Sequence, residues 1–327
     1  PLNLIAHQVA PAVATGCPCI VKPSDRTALS CLHFVQILHE AGLPPEWLQA
    51  VVTADRKDAT ALVTDPRVGF FSFIGSARVG WSLRSQLSPG TRCALEHGGA
   101  APVILAADAD LARAIPSICK GGFYHAGQVC VSVQRVFADK SIARHFAEQL
   151  AASAAQLILG DPTVAETEVG PLIVPGEVER VHEWVQEARD GGAEVLCGGE
   201  PLSETAYKPT VLLNPPADAK VSCAEIFGPV VCVYATDSMD AGIDVANSLP
   251  FSFQAAVFTE SIETAMRAST RLDAAAVMVN DHTAFRVDWM PFAGMKESGH
   301  GVGGVPHSMH EMQVNKMTVI HSPEIAD

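Results

Sequence analysis

The sequence predicts an α/β fold in which helices cover a parallel sheet. Short apolar strands alternate with amphipathic helical segments, glycine or proline bounds most of the strands, and the order strand, helix, strand recurs along the chain. The 327 residues are 48% hydrophobic and 18% charged, a composition typical of a globular protein with a sizeable core and two domains.

The first strand, helix, strand unit lies near the N-terminus. Residues 19–21 are predicted to form a strand, and Ser24 is predicted to cap a helix that ends at Gly42. Residues 48–52 and 69–74 are the next apolar strands. Together these segments indicate parallel strands joined by a helical crossover.

The alternation resumes after Pro102. Predicted elements are a strand at 103–105, a helix after Asp108 that carries Pro116, a strand at 135–138, helices at 141–159 and 177–191, and strands at 194–196 and 230–233. The glycine-rich stretch 299–304 is predicted to be a mobile loop, because no strand leads directly into it.

Composition excludes several classes of function. A net charge of -14 opposes binding to nucleic acid, and no apolar run approaches the ~20 residues that cross a bilayer, so a cytosolic protein with neither partner is expected. The nine cysteines are predicted to be reduced thiols. Cys17-Pro-Cys19 is a poor ligand spacing, and no metal site is expected.

Two residues carry candidate chemistry. Cys130 follows Gly127, a residue suited to a turn that would expose the thiol, although an apolar-flanked cysteine is more often a core residue. Glu96 lies among small and apolar residues that would raise its pKa toward the range of a general base, the alternative being an exposed loop acid. The two glycines after Glu96 permit close approach of backbone.

Two further segments suit a phosphate-bearing ligand. Residues 71–80 are an apolar strand that runs into a small-residue turn and a helix, where free N–H groups and the Ser76 hydroxyl would hold a pyrophosphate. Residues 22–25 also follow a strand. Both segments are therefore expected at the carboxyl edge of one sheet.

Six motifs in order closely resemble the aldehyde dehydrogenase superfamily, and the resemblance covers nearly the whole chain. They are Lys22-Pro-Ser, Phe73-Ile-Gly-Ser, Leu95-Glu-His-Gly-Gly, Gly127-Gln-Val-Cys130, Glu225-Ile-Phe-Gly-Pro and Pro291-Phe-Ala-Gly-Met-Lys.

The resemblance implies a reaction and a set of site residues. Cys130 would attack the aldehyde carbonyl to give a thiohemiacetal and then a thioester, and Glu96 would activate the water that hydrolyses it. The implied cofactor-binding residues are Lys22, Ser24, Asp25, Gly75, Ser76, Val79, Glu225 and Phe227. Asp25 favours NAD as the cofactor, whereas Arg26 leaves NADP as the alternative.

The resemblance also implies the domain organisation. Residues 1–97 would be a cofactor-binding domain without its N-terminal part, 98–304 a catalytic domain, and 305–327 an oligomerisation tail whose strand at 316–320 joins a neighbouring subunit in a homodimer or homotetramer. The chain starts after an Asn that helps to form the family's oxyanion hole. Loss of one such donor costs ~100- to 1000-fold in rate, and the N–H of Cys130 would remain.

Two other functions are considered. A catalytically inactive fragment or pseudoenzyme would act as a binding or oligomerisation module, and an acyltransferase or CoA-acylating enzyme would pass the acyl group to another thiol; Glu96 opposes the latter. Residues 281–288 resemble branches acting on small polar aldehydes such as lactaldehyde, semialdehydes or phosphorylated aldehydes. Arg286 would pair with an anionic tail, or else form a surface or interface salt bridge with Asp288 or another acid.

Overall fold

The structure is a computed structural model that describes residues 2–322 and residue 324. Its helices are α1 (Leu2–Ala14), α2 (Ala28–Glu40), α3 (Arg56–Thr64), α4 (Ala77–Arg84), α5 (Leu111–Phe123), α6 (Ala143–Ala154), α7 (Pro175–Asp190), α8 (Lys220–Cys223), α9 (Met239–Asn247), α10 (Ile262–Arg271) and α11 (Val305–Met312). Its strands are β1 (Cys19–Val21), β2 (Leu48–Ala50), β3 (Phe70–Ile74), β4 (Arg92–Glu96), β5 (Ala101–Leu105), β6 (Val133–Asp139), β7 (Glu194–Cys197), β8 (Thr210–Leu213), β9 (Val230–Thr236), β10 (Phe251–Ser252), β11 (Gln254–Phe258), β12 (Ala276–Val279), β13 (Met295–Lys296) and β14 (Gly299–His300).

The largest sheet has seven strands in the order β12, β11, β5, β6, β9, β8, β7. All neighbours are parallel except β7 and β8, so the α/β class with a mostly parallel sheet is confirmed. The central strands are buried along almost their whole length, because helices cover both faces of the sheet. This sheet is the rigid base from which the loops of the site project.

Two smaller sheets come mainly from the N-terminal part. Strands β1 and β2 pair in parallel, as do β3 and β4, where Ile74 lies opposite Glu96. Strand β14 then pairs antiparallel with β4, placing Gly299 opposite Glu96. The stretch 299–304 is therefore not simply a loop, because its first two residues extend the sheet that carries Glu96. The division into domains at residues 97 and 304 stays a prediction.

Several predicted boundaries are wrong in detail. The helix predicted to start at Ser24 begins at Ala28, with Thr27 as its N-cap residue. Lys22 instead donates hydrogen bonds to the Pro23 carbonyl and the Asp25 carboxylate, so a separate turn occupies residues 22–25. Helix α5 ends at Phe123 rather than at Gly127, and a short 3₁₀ turn follows.

The first and last helices of the described chain are in contact. Helix α1 packs along α11, and Ile5 and Val9 of α1 also join a small core with Cys31, Val35 and Leu48. No helix among residues 2–322 is both long and apolar enough to span a membrane.

The C-terminal tail forms no strand within this one chain over residues 313–322. Its apolar side chains lie in solvent, with Met317 86% and Ile320 67% exposed. The remainder of the predicted tail, residues 323 and 325–327, lies outside the described residues. Pairing of 316–320 with a neighbouring subunit, and the homodimer or homotetramer, stay predictions.

Candidate active site

The turn that carries Cys130 is held in an unusual backbone conformation. His125, Ala126 and Gly127 have φ values of 51°, 54° and 70°, which lie in the left-handed region. Such a conformation costs roughly 1–2 kcal/mol for each non-glycine residue, so tertiary contacts must hold it. One of them is visible at Gly127, where a Cβ atom would overlap the carbonyl group of Gly228.

Residues 129–131 anchor the half-buried thiol of Cys130 in an apolar cluster. Val129 and Cys130 pack with Val131, Phe253 and Phe292. The Val131 carbonyl also accepts a hydrogen bond of 2.6 Å from the fully buried hydroxyl of Thr283. This hydrogen bond joins the chain directly after Cys130 to the 281–290 segment.

The segment that carries Glu225 is fixed by the buried side chain of Gln134 on β6. Its amide donates to the Val221 and Ala224 carbonyls at 3.1 and 2.7 Å, and its oxygen accepts from the Ile226 N–H at 2.9 Å. Arg180 of α7 donates to the Ile226 carbonyl at 2.7 Å. Four hydrogen bonds thus hold the residues on both sides of Glu225.

Glu225 reaches the two glycines that follow Glu96. Its Oε1 atom accepts a hydrogen bond from the Gly99 N–H at 3.2 Å, and a Cβ atom on Gly98 would overlap its carboxylate. Burial raises the pKa of Glu225 to about 7, although the Gly99 N–H and Arg180 act in the opposite direction. The Glu225 carboxylate is therefore the group that lies against the backbone of Gly98 and Gly99.

Glu96 ends strand β4 and is half-buried, so it is not an exposed loop acid. A Cβ atom at Gly303 would overlap its carboxylate, so the glycine-rich stretch provides the space that this side chain occupies. Burial raises the pKa of Glu96 to about 7, and the positive charge of Arg286 acts against that increase. A carboxyl with this pKa is partly ionised at neutral pH, as a general base requires.

Three other predicted site residues affect the pKa of the Cys130 thiol. Burial, Glu96 and Glu225 raise its pKa to about 12, while Arg286 and the N–H of Cys130 oppose the increase. The lowered thiol pKa that a nucleophile needs is therefore absent from the protein alone. Burial has the largest effect on the Cys130 pKa, and together with the two carboxyls it outweighs the guanidinium of Arg286.

Arg286 is half-buried and interacts electrostatically with Glu96 and Cys130. Its guanidinium is 3.8 Å from the Phe292 ring centroid, and its Nη2 group donates to Nδ1 of His7 at 3.3 Å. Its Nη1 group is buried without a hydrogen-bond partner among residues 2–322 and 324. Burial lowers its pKa, and Glu96, Cys130 and Asp288 oppose that change. An unpaired buried N–H is costly, so this group is suited to an anionic ligand.

The turn at Gly75 and Ser76 is tied directly to the strand of Glu96. The Gly75 N–H donates to the Glu96 carbonyl at 3.1 Å, and Nδ1 of His97 donates to the Gly75 carbonyl at 2.8 Å. Ser76 precedes α4, and its hydroxyl makes no capping bond. The start of α4 thus keeps polar groups available for a ligand.

The other predicted cofactor residues are more exposed. The Lys22 ammonium pairs with Asp25 at 3.1 Å, and the Ser24 hydroxyl accepts from the Arg26 N–H at 3.3 Å. Val79 and Phe227 are 36% and 40% exposed. Among the described residues, no hydrogen bond joins the 22–25 turn to Gly75 or Ser76, and their shared role in cofactor binding stays a prediction.

Phe227 and Glu225 line one small cavity, but not through strand alternation. Phe227 has a φ of 48°, in the left-handed region, so residues 225–227 are not an extended strand. Over the described part of the chain, no group of three His, Cys, Asp or Glu side chains has the arrangement of a metal site.

Two residues in contact with the candidate site, His7 and His97, were not predicted from the sequence. His97 is 2% exposed and contacts the Phe73 and Trp81 rings edge-on, and its motif position beside Glu96 was the available clue. His7 has no local clue, because its contact with Arg286 joins residues 279 positions apart.

The packing of His97 against α4 gives a stability prediction. We expect Gly80→Ala to lower the free energy of unfolding by about 1–3 kcal/mol, because its Cβ atom would overlap the His97 ring. The same change in an unobstructed helix raises stability by up to ~1 kcal/mol. Gly176→Ala in α7 is the matched control, since a Cβ atom there meets no atom within 4 Å.

Urea unfolding would measure both effects. Combining Gly80→Ala with His97→Ala should recover part of the loss, because the smaller side chain removes the overlap. Equal stability of the Gly80→Ala and Gly176→Ala proteins would contradict this packing role.

Comparison with known proteins identifies one family over nearly the whole chain. Residues 1–318 match the model of the aldehyde dehydrogenase family. The chain is 36% identical over 321 residues to 3-sulfolactaldehyde dehydrogenase of Priestia megaterium, covering 98% of this chain and 67% of the relative. It is 36% identical over 324 residues to lactaldehyde dehydrogenase of Methanocaldococcus jannaschii, covering 98% and 69%.

A solved structure has the same architecture. Glyceraldehyde-3-phosphate dehydrogenase GapN of Methanocaldococcus jannaschii, complexed with NADP, superposes with a TM-score of 0.91 at 36% identity. The match covers 95% of this chain and 68% of that one. The chain thus spans about two thirds of the length of these proteins.

Proposed function

Because this chain belongs to the aldehyde dehydrogenase family, we propose that it oxidises an aldehyde to a carboxylic acid with NAD(P)⁺, using Cys130 as the nucleophile. The observation that carries the proposal is that Cys130 packs with Phe292, whose ring centroid lies 3.8 Å from the Arg286 guanidinium, while the carboxyls of Glu96 and Glu225 act electrostatically on the same thiol. A nucleophile, a base and a cation from distant parts of the chain converge at one point, which a buried core cysteine does not require.

The first half of the reaction uses Cys130. The thiol loses its proton to water, and the thiolate adds to the aldehyde carbonyl carbon and forms a tetrahedral thiohemiacetal, whose oxygen the Cys130 N–H stabilises. Departure of hydride from that carbon leaves a thioester on Cys130. The sulfur suits both events because a thiolate is a strong nucleophile and later a good leaving group.

The second half uses Glu96. Its carboxylate takes a proton from water, the resulting hydroxide adds to the thioester carbonyl, and the carbon–sulfur bond breaks to release the acid and the Cys130 thiolate. A pKa of about 7 supports this role, because the carboxylate form is populated near neutral pH while its basicity stays substantial.

The cofactor residues proposed are those predicted from the sequence: Lys22, Ser24, Asp25, Gly75, Ser76, Val79, Glu225 and Phe227. The uncapped start of α4 supports the fit, because it leaves polar groups open to a ligand. When bound, NAD(P)⁺ supplies the hydride acceptor and a positive charge. Asp25 favours NAD, and the NADP bound by the M. jannaschii enzyme keeps NADP as the alternative.

The substrate proposed is a small aldehyde with an anionic tail. The unpartnered Nη1 group of Arg286 supports it, because a carboxylate, sulfonate or phosphate would satisfy that donor. The names of two similar proteins include charged aldehydes, 3-sulfolactaldehyde and glyceraldehyde 3-phosphate, whereas lactaldehyde is neutral.

A paired substrate assay would test the proposed function. Succinic semialdehyde and pentanal have unbranched carbon chains and differ in charge, and each would be supplied with NAD or NADP while reduced cofactor is measured. We expect oxidation of both, with kcat/KM about 10-fold or more higher for the charged aldehyde. No reduction of either cofactor with any aldehyde would contradict the proposed function.

Arg286→Gln would test the tail-binding role. We expect kcat/KM for succinic semialdehyde to fall about 10- to 100-fold more than that for pentanal, because only the charged aldehyde loses a charge-assisted hydrogen bond, whereas loss of the positive charge beside Cys130 and Glu96 affects both. Arg113→Gln, at an exposed position of α5, is the control. An equal fall for both aldehydes would show that Arg286 does not select for the tail.

A further inference from the structure

His7 of α1 lies between two charged side chains of the 281–290 segment. Its Nδ1 atom is 3.3 Å from Nη2 of Arg286, and its Nε2 atom is 3.3 Å from Oδ1 of Asp288. The His7 side chain is only 11% exposed, whereas that of Asp288 is 80% exposed. The imidazole thus bridges a half-buried cation and an anion at the surface.

These contacts determine which ring nitrogen of His7 carries the proton. A guanidinium has donors but no acceptor, so Nδ1 must accept the hydrogen bond from Arg286. The proton then resides on Nε2, which donates toward the Asp288 carboxylate. Only the neutral ring satisfies both neighbours, because a second proton on Nδ1 would face the donor of Arg286.

The consequence for Arg286 is a fixed orientation. His7 holds Nη2, the Phe292 ring lies against the guanidinium plane, and Nη1 remains without a partner. One N–H edge of the guanidinium is therefore kept free while the other edge is occupied. The side chain is placed before any ligand binds, which reduces the entropy lost on binding.

We propose that His7 is a positioning residue for substrate selection, whose neutral ring holds Arg286 so that its free edge binds the anionic tail of the aldehyde. The inference rests on the proposed function, and it adds a residue to substrate recognition that does not itself touch the substrate. Protonation of His7 exchanges an acceptor for a donor and releases Arg286 from this orientation.

The charges around His7 set the direction of the pH effect. Burial and Arg286 lower the His7 pKa, while Asp288 raises it, and the net change is downward. Glu96 and Glu311 line the same cavity as His7, the latter from α11. The neutral ring therefore persists at neutral pH and is lost only on acidification, so selection for a charged tail should weaken in acid.

Alkylation of Cys130 by iodoacetate and by iodoacetamide would test the proposal without turnover. Both reagents react with the same thiolate, so the ratio of their rates is independent of the thiolate fraction and reports attraction of the charged reagent. Rates would be measured by peptide mass spectrometry between about pH 5 and about pH 8. Cys223, which is exposed, is the internal reference.

Glu96 and Glu225 titrate in the same range in every variant, so variants are compared at each pH. Relative to His7→Gln, the ratio at Cys130 over Cys223 should fall about 3-fold or more on acidification in the unmodified protein. In His7→Gln the ratio should change only with the two carboxyls, because an amide accepts from Arg286 and donates to Asp288 without titrating. His7→Ala should lower it at every pH. His33→Gln, on the exposed face of α2, should match the unmodified protein.

Arg286→Gln separates this inference from the proposed function. If Arg286→Gln leaves the ratio unchanged, the tail-binding role of Arg286 is wrong, and with it the role of His7. If Arg286→Gln lowers the ratio but His7→Ala does not, or His7→Gln titrates as the unmodified protein does, only the positioning role of His7 is overturned.

Discussion

Cys130→Ala is expected to abolish aldehyde oxidation, with kcat falling about 10⁵-fold or more, because no other group can form the thioester. The expectation follows from the position of Cys130 beside Glu96, Glu225 and Arg286, which no other cysteine is shown to share. Reduced cofactor would be followed by absorbance, and intact-protein mass spectrometry would show that no acyl group is attached.

The remaining cysteines offer matched controls. Cys119 is buried in the main core and Cys223 is exposed, so Cys119→Ala tests the effect of a lost core thiol and Cys223→Ala that of a surface thiol. Both should keep oxidation, the former with some loss of stability. Full activity in the Cys130→Ala protein would remove the nucleophile from the proposal.

Glu96→Gln should mainly slow hydrolysis of the thioester. We expect the steady-state rate to fall about 10²- to 10⁴-fold, because an amide cannot take the proton from water. Acylation should persist, so rapid mixing should show a burst of reduced cofactor equal to the enzyme present, and the acyl-enzyme should be visible as added mass.

The pH dependence gives a second readout for the same variant. Because the pKa of Glu96 is raised to about 7, its carboxylate form and hence the hydrolysis rate should increase as the pH rises through that value. Glu96→Gln should lack this increase, while Glu46→Gln, at an exposed position, should retain it. A Glu96→Gln protein with neither a burst nor a slower steady state would contradict the base role.

The fold was predictable where a strand or helix has a strong local pattern. The apolar run 19–21 became β1 as expected, and Val230 begins β9. Strand β4 was missed because Arg92–Glu96 has a charged residue at each end and little apolar alternation. It is specified by its neighbours β3 and β14, which the sequence alone does not bring into contact.

The site was predictable as a set of motifs but not as an electrostatic arrangement. The motifs identify Cys130, Glu96 and Glu225, yet nothing local shows that both carboxyls act on the same thiol and raise its pKa. The pairing of His7 with Arg286 was hidden for the same reason, because it depends on how α1 packs near the 281–290 segment.

The overlap that forbids a side chain at Gly127 has an evolutionary consequence. Main-chain atoms of Gly127 and Gly228 set the spacing between the Cys130 turn and the Glu225 segment, so that spacing does not depend on which side chains surround it. The groups proposed to choose the substrate, Arg286 and His7, lie on other segments. Changes at those two positions can therefore alter the proposed substrate selection in a lineage while this main-chain spacing is inherited unchanged.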